Sequence, residues 1–231
     1  MNQGYPFVQE RTARGVVDTR ARFIVRTYNT LFVAILAFAA VEAWLVTSGI
    51  AAAIAQAIGG SWLLVLGGFM LVSWLASHAA HNARSLATQY AALGGFVLAE
   101  AIIFAPLLAY ANAVAPGTIS AAAMVTILGF AGLTAIAFTT RKDFSFLGGL
   151  LRWSFVVALL LIVASLIFGF QLGTFFSVAM VGLAGAAILY DTSNVIHHFP
   201  SDRHAAAALQ LFSSVALMFW YVLRIFLSSR D

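Results

Sequence analysis

Runs of about 20 apolar residues recur along this chain, the length a helix needs to cross the hydrocarbon core of a bilayer. Seven stretches qualify: 27–49, 61–80, 88–110, 118–139, 149–169, 173–196 and 205–228. Only 9% of the residues are charged, against roughly 25% in a soluble globular domain. Such a chain cannot cover a water-facing surface. The sequence therefore predicts an all-α integral membrane protein with seven transmembrane helices. Two regions follow: an arginine-rich tail, 1–26, and a helical membrane domain, 27–231. Turn residues agree with the divisions, since Gly59-Gly60, Pro116-Gly117, Gly148-Gly149 and Pro200 fall at or between predicted spans.

Charge sets an expected orientation. Arg11, Arg14, Arg20, Arg22 and Arg26 precede the first span. Arg84 lies in the second-to-third link, Arg141 and Lys142 in the fourth-to-fifth, and Arg203 in the sixth-to-seventh. The intervening links GIAAAIAQAIGG, ANAVAPGTIS and GFQLGT carry no charge. Cationic loops stay cytoplasmic, so the N-terminus is expected inside and the C-terminus outside. The same reading accounts for the net charge of +4 without nucleic acid as a partner. The polar N-terminal stretch and the long apolar run behind it do not fit a signal peptide. The chain has no cysteine, which excludes disulfides and thiol chemistry.

Ionisable residues inside spans are expensive and mark candidate sites. Asp191 ends the apolar run from Phe175 to Tyr190. Asp191, Asn194 and His198 follow at i, i+3 and i+7, a polar stripe on one helix face. Gln210, Ser214, Tyr221 and Arg224 form a second stripe on the next helix, and two such stripes suggest a shared hydrophilic crevice. The alternative is that Asp191 marks the membrane boundary and is simply wet. Hard cations take oxygen ligands, and Asp191 with Asn194 and Ser214 could offer a weak calcium site.

Depth along the spans puts Glu42 and Arg224 at a similar level, as a structural ion pair or as a latch. Glu100 falls near the midplane, either as a neutral packing residue or as a proton or cation site. His78, His81, His197, His198 and His204 read as solvated interfacial histidines rather than a metal centre, with pH sensing near neutrality, for His198 above all, as the alternative role. Ala179, Gly182 and Ala186 are spaced to share a close-packing face. Trp44, Trp62 and Trp153 are expected near an interface. No phosphate loop, HExxH or GxSxG motif is present. The only lysine, Lys142, lies in a loop, which leaves no Schiff-base lysine in a span. The chain does not read as an enzyme and calls for no cofactor, calcium being at most a transported ion.

The stretches TTRKDFSFLGGLL (139–151) and ILYDTSNVIHH (188–198) resemble the Bax inhibitor-1, or transmembrane Bax-inhibitor-motif, family. RTYNTLFVAILAF (26–38), APLL (105–108) and RIFLSSRD (224–231) fit the same pattern. The likeness is greatest to the bacterial YccA-type branch, modulators of the FtsH protease. It implies a central last helix surrounded by six others and a multi-pass protein of the bacterial inner membrane. It also implies a pH-sensitive calcium leak, in which an aspartate of the sixth helix shares a proton with one of the seventh. Asp191 matches the first of these, Ser214 stands where the second would be, and Arg224 matches the family's arginine near the outer end. The missing second carboxylate removes the like-charge effect that raises one pKa of such a pair. The other activity implied is binding to FtsH, which the arginine-rich tail is long enough to reach; its alternative role is topology and attraction to anionic lipid.

Overall fold

A computed structural model describes the backbone of residues 6–58, 62–82 and 85–229; the side chains of 1–16, 58–66, 69, 81, 83–84 and 230–231 are outside the description. Gly59, Gly60, Arg84, Arg230 and Asp231, and the side chains of Arg11, Arg14, Trp62 and His81, therefore fall outside it. The described residues form eight α-helices and no strand: α1 (Pro6–Thr47), α2 (Ile50–Ile58), α3 (Trp62–Asn82), α4 (Leu86–Val114), α5 (Thr118–Thr140), α6 (Leu147–Phe168), α7 (Gly173–His197) and α8 (His204–Ser228).

Among the described residues six helices are long and apolar enough to cross a membrane: α1 from Val17 onward, and α4 to α8. In α3, which covers the predicted span 61–80, the described apolar stretch is Met70–Ala80. One feature departs from expectation. The uncharged link after the first span is largely the nine-residue helix α2, because its alanines favour helix over an open loop. The arginine-bearing tail joins the first span without a break, since α1 runs unbroken from Pro6, with proline where the first helical turn tolerates it.

Packing follows from α8. Ala205, Ala206, Ala207 and Ala208 are all fully buried. Four consecutive residues point to every side of a helix with 3.6 residues per turn, so α8 is enclosed all round at that level. It packs against α1, α3, α4, α5 and α7. The encirclement by six helices is not complete: α6 packs chiefly on α7 and meets α8 around Ala158 and Tyr221.

The face of α7 that packs is not the expected stripe of small residues. Ala179 and Gly182 are exposed, and a Cβ on Gly182 would meet nothing within 4 Å. Ala184, Gly185, Ala187 and Ile188 are buried instead. A Cβ on Gly185 would lie 3.3 Å from Leu133 Cδ1, so this glycine is where α5 approaches closely. Trp44 and Trp153 are exposed.

The basic end of the bundle is tied together by side chains. Arg20 donates to the Phe199 carbonyl at 2.6 Å, just beyond the end of α7, and its guanidinium lies 5.4 Å from the Phe23 ring centroid. A cation at a helix C-terminus offsets the partial negative charge there. On the other side of α8, buried His204 shares a 3.0 Å hydrogen bond with the Tyr90 hydroxyl. His204 is thus a packed residue rather than a solvated loop histidine, because α8 begins with it.

Candidate functional site

Asp191 is buried, 4% exposed, on the α7 face turned to α8. Its Oδ1 accepts from Gln210 Nε2 at 2.5 Å and its Oδ2 from Ser214 Oγ at 2.5 Å. Gln210 and Ser214 are one turn apart on α8, so both donors reach the same carboxylate. The acid is satisfied by two neutral donors rather than by a cation. These two hydrogen bonds to one carboxyl group couple α7 to α8.

Asp191 also lines a cavity of about 1390 Å³ bounded by residues of α3, α4, α6, α7 and α8. Glu100 of α4 lines it as well, and its side chain is 6% exposed. The α6 wall runs from Gly148 to Gly169. Those 21 steps span about 32 Å at ~1.5 Å per residue, comparable with the ~30 Å hydrocarbon core. Arg152 and Tyr190 line one end, and Thr174, Arg224 and Ser228 the other.

The expected site residues separate into two groups. Asp191, Ser214, Glu100 and Arg224 share this cavity, together with Gln210 and Tyr221 of the α8 stripe. Asn194, His198 and Glu42 are not among its lining residues. The Asn194 carbonyl instead accepts from the N–H groups of His198 and Phe199, 2.8 Å each, closing the end of α7. His198 points outward, with Nε2 2.9 Å from Asp143 Oδ2. The stripe expected on α7 bends away because Asp191 faces α8 while His198 lies beyond the last helical turn.

The pairing of Glu42 with Arg224 is not formed. Both Glu42 oxygens are buried without a hydrogen-bond partner, and the Arg224 guanidinium stands 6.0 Å from the Tyr221 ring centroid. Similar depth does not bring the two together: Arg224 lines the cavity and Glu42 does not. Among the described residues no three His, Asp or Glu side chains converge as a metal site. Calcium at Asp191 would have to displace the Gln210 and Ser214 donors, so no preformed calcium cage stands there. Arg152, Tyr190, Ser177 and Ser213 were not singled out from sequence yet line the cavity. Arg152 carried a signal, being the one cation inside the predicted span 149–169.

The segment between α5 and α6 is tied to the end of α7. The Phe144 N–H donates to Ser193 Oγ at 2.9 Å, and the Ser145 N–H donates to Asp143 Oδ1 at 2.9 Å, an Asx-type turn. The Ser145 N–H, assisted by His198, holds the Asp143 carboxyl down to about 2. The folded form therefore gains from ionised Asp143 above its ordinary pKa, and that gain disappears as pH falls from about 4 to about 2. Asp143→Ala should speed amide hydrogen exchange at Ser145 at neutral pH and remove this acid-dependent step. Unchanged exchange at Ser145 would count against the turn.

The comparisons with known proteins agree with this architecture. The family model described as "Inhibitor of apoptosis-promoting Bax1" matches residues 20–231. The chain belongs to the Bax inhibitor-1 family. Like other Bax inhibitor-1 proteins, it is a multi-pass membrane protein. A Campylobacter jejuni relative, Cj0236c, is 31% identical over 204 residues, covering 82% of this chain and 81% of its own. The Escherichia coli protein named "Modulator of FtsH protease YccA" is 36% identical over 108 residues, 46% of this chain and 49% of that one. Bax inhibitor 1 of Schizosaccharomyces pombe is 31% identical over 144 residues, 59% of this chain and 48% of the yeast protein. Likeness to PA2604 of Pseudomonas aeruginosa is 39% over 111 residues. The chain thus spans about half the length of PA2604 and YccA where it matches them.

Proposed function

We propose that this Bax inhibitor-1 family protein provides a pH-sensitive leak path for cations, with calcium as the ion and Asp191 as its obligatory charge. The observation that carries this reading is one cavity, as long as the bilayer core is thick, with carboxylates from α4 and α7 on its wall. A carboxylate lining a pore attracts cations and repels anions. Because Gln210 and Ser214 occupy both Asp191 oxygens, a passing ion exchanges weak contacts rather than settling in a cage, as a leak requires. Protonation of Asp191 removes the charge and lowers the flux, which supplies the pH dependence. The basic links and the tail belong in the cytoplasm in this reading, with seven crossings and an inner-membrane location.

The test is calcium-dye fluorescence in liposomes containing the full chain. The expected result is dye signal above that of empty liposomes, falling as the pH is lowered. Wild-type liposomes no leakier than empty ones at any pH would overturn the reading.

A second reading rests on the likeness to YccA: the protein binds FtsH and restrains proteolysis. Exposed Arg22 and Arg26 on α1 offer a charged face for such a partner. Co-purification with FtsH that is lost in Arg22→Gln/Arg26→Gln supports it, and absence of FtsH from the wild-type preparation removes it.

A further inference from the structure

The cleft beside α6 has a wall unlike the Asp191 wall. Phe155, Leu159, Ile162 and Leu166 line it at spacings of four, three and four, one continuous apolar face of a helix. Met70 of α3 and Ile103 of α4 also line the cleft, and α6 packs chiefly on α7 rather than on α3 or α4. Met70, Phe155 and Leu166 are 44%, 38% and 40% exposed. The cleft is therefore open sideways at bilayer depth, where the surrounding medium is lipid.

One end of this apolar face carries a cation. Arg152 begins the row, three residues before Phe155, and lines the same cavity. Its Nε donates to the Gly148 carbonyl at 3.2 Å, which leaves the guanidinium's other N–H groups available. Among the described residues the one ion pair is His198 with Asp143, so Arg152 has no carboxylate partner there. Tyr190 lies against the same turn: a Cβ on Gly148 would be 2.9 Å from Tyr190 Cε2. A guanidinium and a phenol thus converge at the end of the bundle that carries Arg141 and Lys142, at headgroup depth. From Arg152 to Leu166 the groove runs about 21 Å at ~1.5 Å per residue, an acyl-chain length.

We propose that this cleft binds one anionic phospholipid from the leaflet on the arginine-bearing side. Its phosphate sits on Arg152, which can grip it with two parallel hydrogen bonds, and Tyr190 donates beside it. One acyl chain lies along Phe155 to Leu166. The chain seals the sideways opening while the polar wall of α7 and α8 stays wet. An ion path lined on one side by lipid needs no further helix between α3 and α6. The inference uses the same cavity as the proposed leak but does not depend on conduction, and its readout is lipid retention, not flux.

The experiment is native mass spectrometry of the full chain in detergent, titrated with phosphatidylglycerol, phosphatidylcholine or inorganic phosphate. Phosphatidylglycerol should bind the wild type more tightly than phosphatidylcholine, and Arg152→Gln should weaken it about fivefold. Arg152→Lys should fall between, because it keeps the charge and loses the fork. Leu159→Trp, which fills the groove, should weaken both lipids, and Arg141→Gln in the loop should change neither. Equal phosphatidylglycerol binding by wild type and Arg152→Gln would refute the site. So would an equal loss in Arg141→Gln, which means diffuse attraction. Inorganic phosphate binding as tightly as the lipid would refute it too, leaving an anion site without a chain.

Discussion

Asp191→Asn is expected to lower calcium entry into liposomes by about 100-fold and to flatten its dependence on pH. Two unit charges ~4 Å apart attract by about 4 kcal/mol at an effective dielectric of 20. Each ~1.4 kcal/mol is a factor of ten, so a 100-fold loss allows for water in the cavity. The substitution is chosen because it spares the fold. Asparagine keeps one carbonyl oxygen for a donor, and its amide can face Ser214, whose hydroxyl turns to accept. The Gln210 amide can turn as well. Asp191→Leu is a different experiment, since it strands the donors that now reach the carboxylate at 2.5 Å and should loosen α7 from α8. Glu100→Gln should reduce flux less, because Glu100 shares the cavity without sharing the α7–α8 contact. If Asp191→Asn conducts like wild type, Asp191 is a structural acid and the leak, if present, runs elsewhere.

The helices were legible because lipid leaves the backbone little choice: an apolar run of bilayer length must satisfy its own hydrogen bonds. α4 to α8 each cover a predicted span to within a few residues. The link that became α2 was not legible by the same rule, since nine residues cannot cross and carry no charge to mark them. Its alanine content was the available signal. The site divides along a similar line. The two polar stripes and the family resemblance set Ser214 opposite Asp191, and a 2.5 Å bond joins them; depth can also be counted from sequence. Which side of the bundle a residue faces cannot be counted, because it depends on how each helix is rotated against its neighbours. That is why Glu42 and Arg224, level in depth, do not meet. It is also why Gln210 was read as part of a stripe but not as the partner of Asp191. For α8 the stripe of Gln210, Ser214, Tyr221 and Arg224 works because a long straight helix keeps its phase, and all four line the cavity. For α7 the phase is lost at its end, where the chain turns at His198.

Phe212→Ala should lower the thermal transition of the purified protein by about 4–12 °C. Phe212 is 2% exposed and holds α8 to two neighbours. Its ring centroid lies 5.8 Å from Phe38 of α1 at 68° and 6.1 Å from Phe96 of α4 at 84°, the edge-to-face geometry that aromatic quadrupoles favour. In a water-soluble core the truncation would cost about 3–5 kcal/mol. In a bilayer the transfer part largely vanishes, because lipid is as apolar as the core, while the lost packing remains. About 2–3 kcal/mol is then expected, and each ~1 kcal/mol moves the transition by roughly 2–4 °C in a domain of this size. Phe175→Ala is the matched control, since that ring is 87% exposed and should shift the transition by under ~1 °C. Secondary-structure signal followed against temperature in the same detergent reads both. Equal shifts for the two variants would mean that α8 is not the hub on which α1 and α4 depend.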